Sequence, residues 1–163
     1  MPHISNYTYD EITIGQTATY SKLIETQDVQ IFAAASGDVN PVHLDPDYAR
    51  TIQFEKCIAH GMLSGAVVSA AIAMELPGPG TIYLSQTLRF RRPVFVNDTI
   101  TVKLQVIDKK DRRGFVSLDC EVFNQDEKLV VTGTAEVMAP KEKLRLERPP
   151  LPAVQLADQD SAE

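Results

Sequence analysis

An aspartate and a histidine stand five positions apart in the stretch SGDVNPVHLDPDYA, as Asp38 and His43, with Pro41 between them limiting how the intervening loop can move. Such a pair is an acid/base device, since a carboxylate can take a proton from water and an imidazole can orient the same water. Thr26 with Asp28 in the first turn, apolar Val29, Phe32 and Ala33, and Gly37 as a stop predict a helix from Gln27 to Ser36. Asp38 then follows the negative end of a helix dipole. That position, and desolvation if the loop is buried, both disfavour the charged carboxylate and favour proton acceptance. The same residues also suit a plainer reading, in which Asp38 and Asn40 form an Asx-type turn before Pro41 and His43 packs locally. Spacing alone favours the plainer one.

The flanking elements must position this loop. Asp45 followed by Pro46 is a cap and first-turn signature and predicts a short helix to about Thr51. From Gly61 the run GMLSGAVVSAAIAMEL is apolar or small nearly all round, the pattern of an enclosed helix, and PGPG at 77–80 ends it. It is shorter than the ~20 residues a bilayer requires, so no membrane span is expected. The period then changes. Segments 81–90, 99–107, 115–123 and 129–138 read as strands joined by short turns, preceded by one at about 17–24. One enclosed helix and a long antiparallel sheet make an α+β domain. Residues 1–140 read as one domain, and the charged, Pro-containing segment 141–163 reads as a loosely attached tail.

Composition narrows the function. With 163 residues and a formal charge of −6, the chain is one domain in size and offers no positive field for nucleic acid. The first nine residues show no basic start with an apolar run, so a secretory signal is not expected. Cys57 and Cys120 lie far apart without metal-ligand spacing to the three histidines and read as core thiols, so neither a disulfide framework nor a metal site is predicted. A reducing cytoplasm suits them.

The stretch Phe32, Ser36, Gly37, Asp38, Asn40, Pro41, His43 and Ala49 resembles the signature of the MaoC-like, or hydratase 2, family of (R)-specific enoyl-CoA hydratases, with similarity running from about Tyr9 to Met138. One departure is Ala35, where the family usually has a larger aliphatic residue or glycine; it lies on the helix and bears on packing. The resemblance implies the hot-dog fold, a long helix wrapped by an antiparallel sheet, and a homodimer whose subunits complete each thioester channel. It further implies that Asp38 and His43 hold one water for addition to a trans-2-enoyl-CoA, giving the (R)-3-hydroxyacyl-CoA without a cofactor, in the supply of polyhydroxyalkanoate precursors. Addition at C3 puts charge on the thioester oxygen. By similarity its donor is the Gly61 N–H, although Gly61 could equally just ease a tight helix start. Asn40 and Ser69 are candidate substrate contacts, Ser69 by its match to a serine near the catalytic acid, although a serine bonding back to its own helix is almost as good a reading. Arg89, Arg91 and Arg92 form the densest basic cluster and could meet coenzyme A phosphates or remain a solvated strand edge. His60 reads as a helix-start packing residue. Small side chains at Gly65, Ala66, Ala70, Ala71 and Ala73 suggest a roomy acyl tunnel. An acyl-carrier-protein dehydratase, a hot-dog thioesterase and a non-catalytic acyl-CoA binding protein are the competing readings.

Overall fold

The computed structural model describes residues 3–110 and 113–157. In chain order the elements are β1 (His3–Ser5), β2 (Thr17–Leu23), α1 (Thr26–Ser36), α2 (Pro41–Leu44), α3 (Pro46–Ala49), α4 (Gly61–Met74), β3 (Ile82–Phe90), β4 (Thr99–Lys110), β5 (Phe115–Phe123), β6 (Leu129–Met138) and β7 (Arg145–Glu147). Five strands form one antiparallel sheet in the order β2-β4-β5-β6-β3, and α4 packs on it against β2, β4 and β5. This is the hot-dog arrangement, α+β in class.

Alternation explains the sheet. Ile100, Val102, Leu104 and Val106 on β4, and Val116, Leu118, Cys120 and Val122 on β5, all turn inward and are essentially fully buried. Facing them from α4 are Val67, Val68, Ala71 and Ile72. Each large aliphatic side chain removed from water contributes roughly 1.5–3 kcal/mol, so this interface dominates the fold's stability.

Three expectations shift in detail. The helix before Asp38 is capped by Glu25 rather than Thr26: Asp28 Oδ2 accepts the Glu25 N–H at 2.9 Å, and Thr26 is already helical. The strand predicted to end at Ile107 continues to Lys110, because a bulge between Val106 and Asp108 lets the pairing resume. Segment 141–157 is less loose than its composition suggested. Its β7 pairs with β1, the Lys143 ammonium donates to the Asn6 carbonyl at 2.6 Å, and the Val154 carbonyl accepts from Gln27 Nε2 at 2.9 Å. Residues 158–163 of that segment lie outside the described residues.

The helix read as enclosed is covered on one side only in a single chain. Met62, Ala66 and Ala73 on α4 are exposed, as are Ile82, Leu84 and Phe90 on the edge strand β3. Among the described residues no helix is long and apolar enough to cross a membrane.

Candidate active site

Helix α1 stops at Gly37, whose φ of 79° lies in the left-handed region, and its N–H donates to the Ala33 carbonyl at 2.8 Å. The chain therefore leaves α1 abruptly and delivers Asp38. The Ser36 hydroxyl donates to the Phe32 carbonyl and accepts the Asp38 N–H. Asp38 Oδ1 accepts the Asn40 N–H at 3.2 Å, and Asn40 Oδ1 caps α2 by accepting the Val42 N–H at 3.3 Å. The Asx turn expected of these residues is thus present. It holds one carboxylate oxygen and leaves Oδ2 for the histidine side.

Pro41 begins α2, which carries His43. His43 Nδ1 lies 2.7 Å from the Ile58 carbonyl. A carbonyl can only accept, so Nδ1 carries the hydrogen and a neutral ring presents a bare Nε2. That Nε2 is 3.9 Å from Asp38 Oδ2. Two acceptors at this separation do not bond to each other. A molecule with two O–H groups can bridge them: an oxygen ~2.8 Å from both would subtend about 90°, near the angle between the two O–H bonds of water.

His60 joins the pair. Its ring stacks on His43 with centroids 3.8 Å apart and planes at 28°, and its Nε2 lies 3.0 Å from the Asp38 carbonyl. The ligating atoms of Asp38, His43 and His60 fall within 4.8 Å of one another. They do not suit a metal ion, because His60 Nε2 is committed as a donor to a carbonyl and two nearly parallel stacked rings cannot aim their lone pairs at one centre.

Beside His43 a cavity of about 340 Å3 is walled by Phe54, Gly61, Ser64, Phe90, Arg91 and Arg92 among others, a size within the usual range for small-molecule sites. Gly61 opens α4, so its N–H has no intrahelical partner. A Cβ there would stand 3.2 Å from the Phe90 ring, so glycine keeps that N–H approachable.

The structure brings His43, Gly61 and Arg91 to one cavity, with Asp38 beside His43. The carboxylate of Asp38 is half-exposed and not part of the cavity wall, so the premise that the loop is buried does not hold in a single chain. Asn40 is spent as a helix cap. Ser69 is half-buried, two turns along α4, and makes no side-chain hydrogen bond among the described residues. Arg89 is exposed and not among the residues that wall the cavity, whereas Arg91 and Arg92 line it, Arg92 also donating to the Leu129 carbonyl. None of the small residues Gly65, Ala66, Ala70, Ala71 or Ala73 lines this cavity. Cys120 is buried as expected; Cys57 is only partly so. Sequence reasoning passed over Ser64, a buried polar residue within α4, and underrated His60, whose one signal was a polar residue directly before an apolar helix.

Residues 10–124 match the model of the MaoC like domain. The chain belongs to the MaoC-like family. It is 42% identical to an (R)-specific enoyl-CoA hydratase of Aeromonas caviae, over 79% of this chain and 96% of that one. The unliganded structure of the R-hydratase PhaJ1 of Pseudomonas aeruginosa is 53% identical with a TM-score of 0.91, and the match covers 96% of this MaoC-like chain and 100% of that chain. A mitochondrial 3-hydroxyacyl-[acyl-carrier-protein] dehydratase of Arabidopsis thaliana is 31% identical over 79% of this chain and 78% of that one.

Proposed function

We propose that this MaoC-like protein is an (R)-specific enoyl-CoA hydratase in which Asp38 and His43 hold the reacting water. The observation that carries the assignment to these residues is the 3.9 Å separation of Asp38 Oδ2 and His43 Nε2, two acceptors spaced for one water. Asp38 takes a proton from that water, His43 Nε2 accepts its other O–H and orients it, and the oxygen bonds to C3 of a trans-2-enoyl-CoA. The developing charge on the thioester oxygen is met by the Gly61 N–H, reinforced by the dipole of α4. Passing the proton on to C2 completes the addition of one water. The same path in reverse is dehydration.

Arg91, and with it Arg92, supplies the positive charge for the phosphates of coenzyme A. Asn40 serves as a cap that holds the loop; Ser69 and Arg89, which lie off the cavity wall, are proposed as outer contacts of the same substrate, Ser69 on the resemblance and Arg89 on its charge. A homodimer is proposed with this activity, supported by the open edge of β3 and the uncovered apolar side of α4. A reducing, cytoplasmic setting is proposed on the two free thiols. A role in supplying polyhydroxyalkanoate precursors is proposed on the resemblance and the (R) configuration of the product. The relative that acts on acyl carrier protein favours one second reading, dehydration of a 3-hydroxyacyl group on that carrier.

Crotonyl-CoA and its acyl-carrier-protein counterpart test both readings. The expected result is loss of the conjugated double bond on the CoA ester, an (R)-3-hydroxy product and no free thiol. An (S) product sinks the assignment, stoichiometric thiol release makes the chain a thioesterase, and turnover restricted to the protein-bound ester favours the second reading.

A further inference from the structure

We infer that His60 is a positioning residue of the hydration site, holding Asp38 and His43 at the span that one water bridges. This rests on the reading of that pair given above. His60 is 2% exposed, and its Nε2 lies 3.0 Å from the Asp38 carbonyl and 4.0 Å from Asp38 Oδ2. A carbonyl acceptor requires Nε2 to carry the hydrogen, so the neutral ring leaves Nδ1 bare. Nδ1 is buried and has no hydrogen-bond partner among the described residues. A buried polar atom left unpaired is costly, and a phenylalanine would fill the same space between Phe32 and His43 without that cost. Packing alone therefore does not explain a histidine here; the bond to Asp38 does.

Chain geometry strengthens the case. His60 belongs to the segment Ile58–Gly61, which is itself anchored by the Ala59 N–H on the Val94 carbonyl at 2.7 Å and the Ile58 N–H on the Val42 carbonyl at 3.2 Å. Within four residues this segment presents the Ile58 carbonyl that sets the tautomer of His43, the His60 imidazole that ties down Asp38, and the Gly61 N–H. The two histidines end in opposite tautomers, His43 with its hydrogen on Nδ1 and His60 with its hydrogen on Nε2, their rings in face-to-face contact at 3.8 Å. Without the bond to His60, Asp38 would be held only by the Asx turn and Ser36 on a half-exposed loop. Its carboxylate would then wander relative to His43, and misplacement of a reacting group by ~1 Å can cost ~10²-fold in rate.

The test compares His60→Phe, which keeps the ring contacts and deletes the donor, with His60→Gln, whose amide can return an N–H to the Asp38 carbonyl. With crotonyl-CoA, His60→Phe is expected to lower kcat ~10-fold or more with KM little changed, and His60→Gln to recover most of that loss. Nitrogen-15 spectra of the parent protein should show a bare Nδ1 and a protonated Nε2 for His60, with the reverse at His43. The inference is overturned if His60→Phe keeps its kcat, if His60→Gln falls as far as His60→Phe, or if His60 carries its hydrogen on Nδ1. Asp38→Asn and His43→Gln run alongside: if these keep their turnover the reading of the pair has failed, and if they lose it while His60→Phe does not, only the role of His60 has.

Discussion

Phe90 closes over Gly61: a Cβ on residue 61 would meet the ring's Cε1 at 3.2 Å and Cζ at 3.3 Å. The strand β3 thus sets how much room exists at the start of α4. Gly61→Ala keeps the backbone N–H but places a methyl group where a thioester oxygen would arrive. The expected outcome is a loss in kcat/KM of ~10-fold or more. Because the Phe90 ring is itself half-exposed and can give way, unfolding free energy should fall by about 1 kcal/mol or less. Steady-state kinetics and thermal unfolding on one preparation separate the two effects, and unchanged kcat/KM would remove Gly61 from the site.

The pair makes its own demand. Asp38→Asn and His43→Gln should each reduce kcat by ~10²-fold or more, with folding retained. The double variant should be little worse than the poorer single one, since groups acting on the same water lose their effect together. Additive losses would mean separate roles. Near-normal turnover with lowered thermal stability would leave Asp38 as a turn residue and His43 as packing.

Association is predicted from the exposed apolar rim. Met62 and Leu84 are 58% and 45% exposed in the single chain. Light scattering should find a dimer, and Met62→Lys combined with Leu84→Lys should shift it toward monomer, since a lysine in an interface core must be desolvated without a partner. Most of the activity should go with the dimer. A monomer that keeps full activity refutes the channel shared between subunits.

The two thiols differ in a way that mass spectrometry can read. Burial between β4 and β6 pushes the Cys120 thiol up to about 12. Cys57 is also raised, first by partial burial and then by the nearby Asp45 carboxylate. Alkylation at pH 8 should therefore label Cys57 slowly and Cys120 only after unfolding. The sign of the stability effect follows: above the ordinary thiol range the unfolded chain loses the Cys120 proton and the folded chain keeps it, so stability declines as pH rises from ~8.5 toward 12. Rapid native labelling of Cys120 would contradict this packing.

Much of this protein is determined by local sequence. Period-two alternation on β4 and β5 needs only the pleat and an apolar core to choose a face, Gly37 and PGPG punctuate helices through backbone sterics, and Asp38 to His43 is a motif whose parts lie close together along the chain, from the end of α1 into α2. Contacts between segments distant in the chain required the tertiary structure. Only folding brought His60 back to the Asp38 carbonyl and against the His43 ring, set Phe90 over Gly61, sent Arg91 rather than Arg89 to the cavity, and tied β7 to β1. Such pairings depend on sheet register and on the angle at which a helix enters, and neither is encoded in the spacing of residues along one element. The apolar circumference of α4 shows the limit most plainly: the sequence requires that every side be covered, and a single chain covers one.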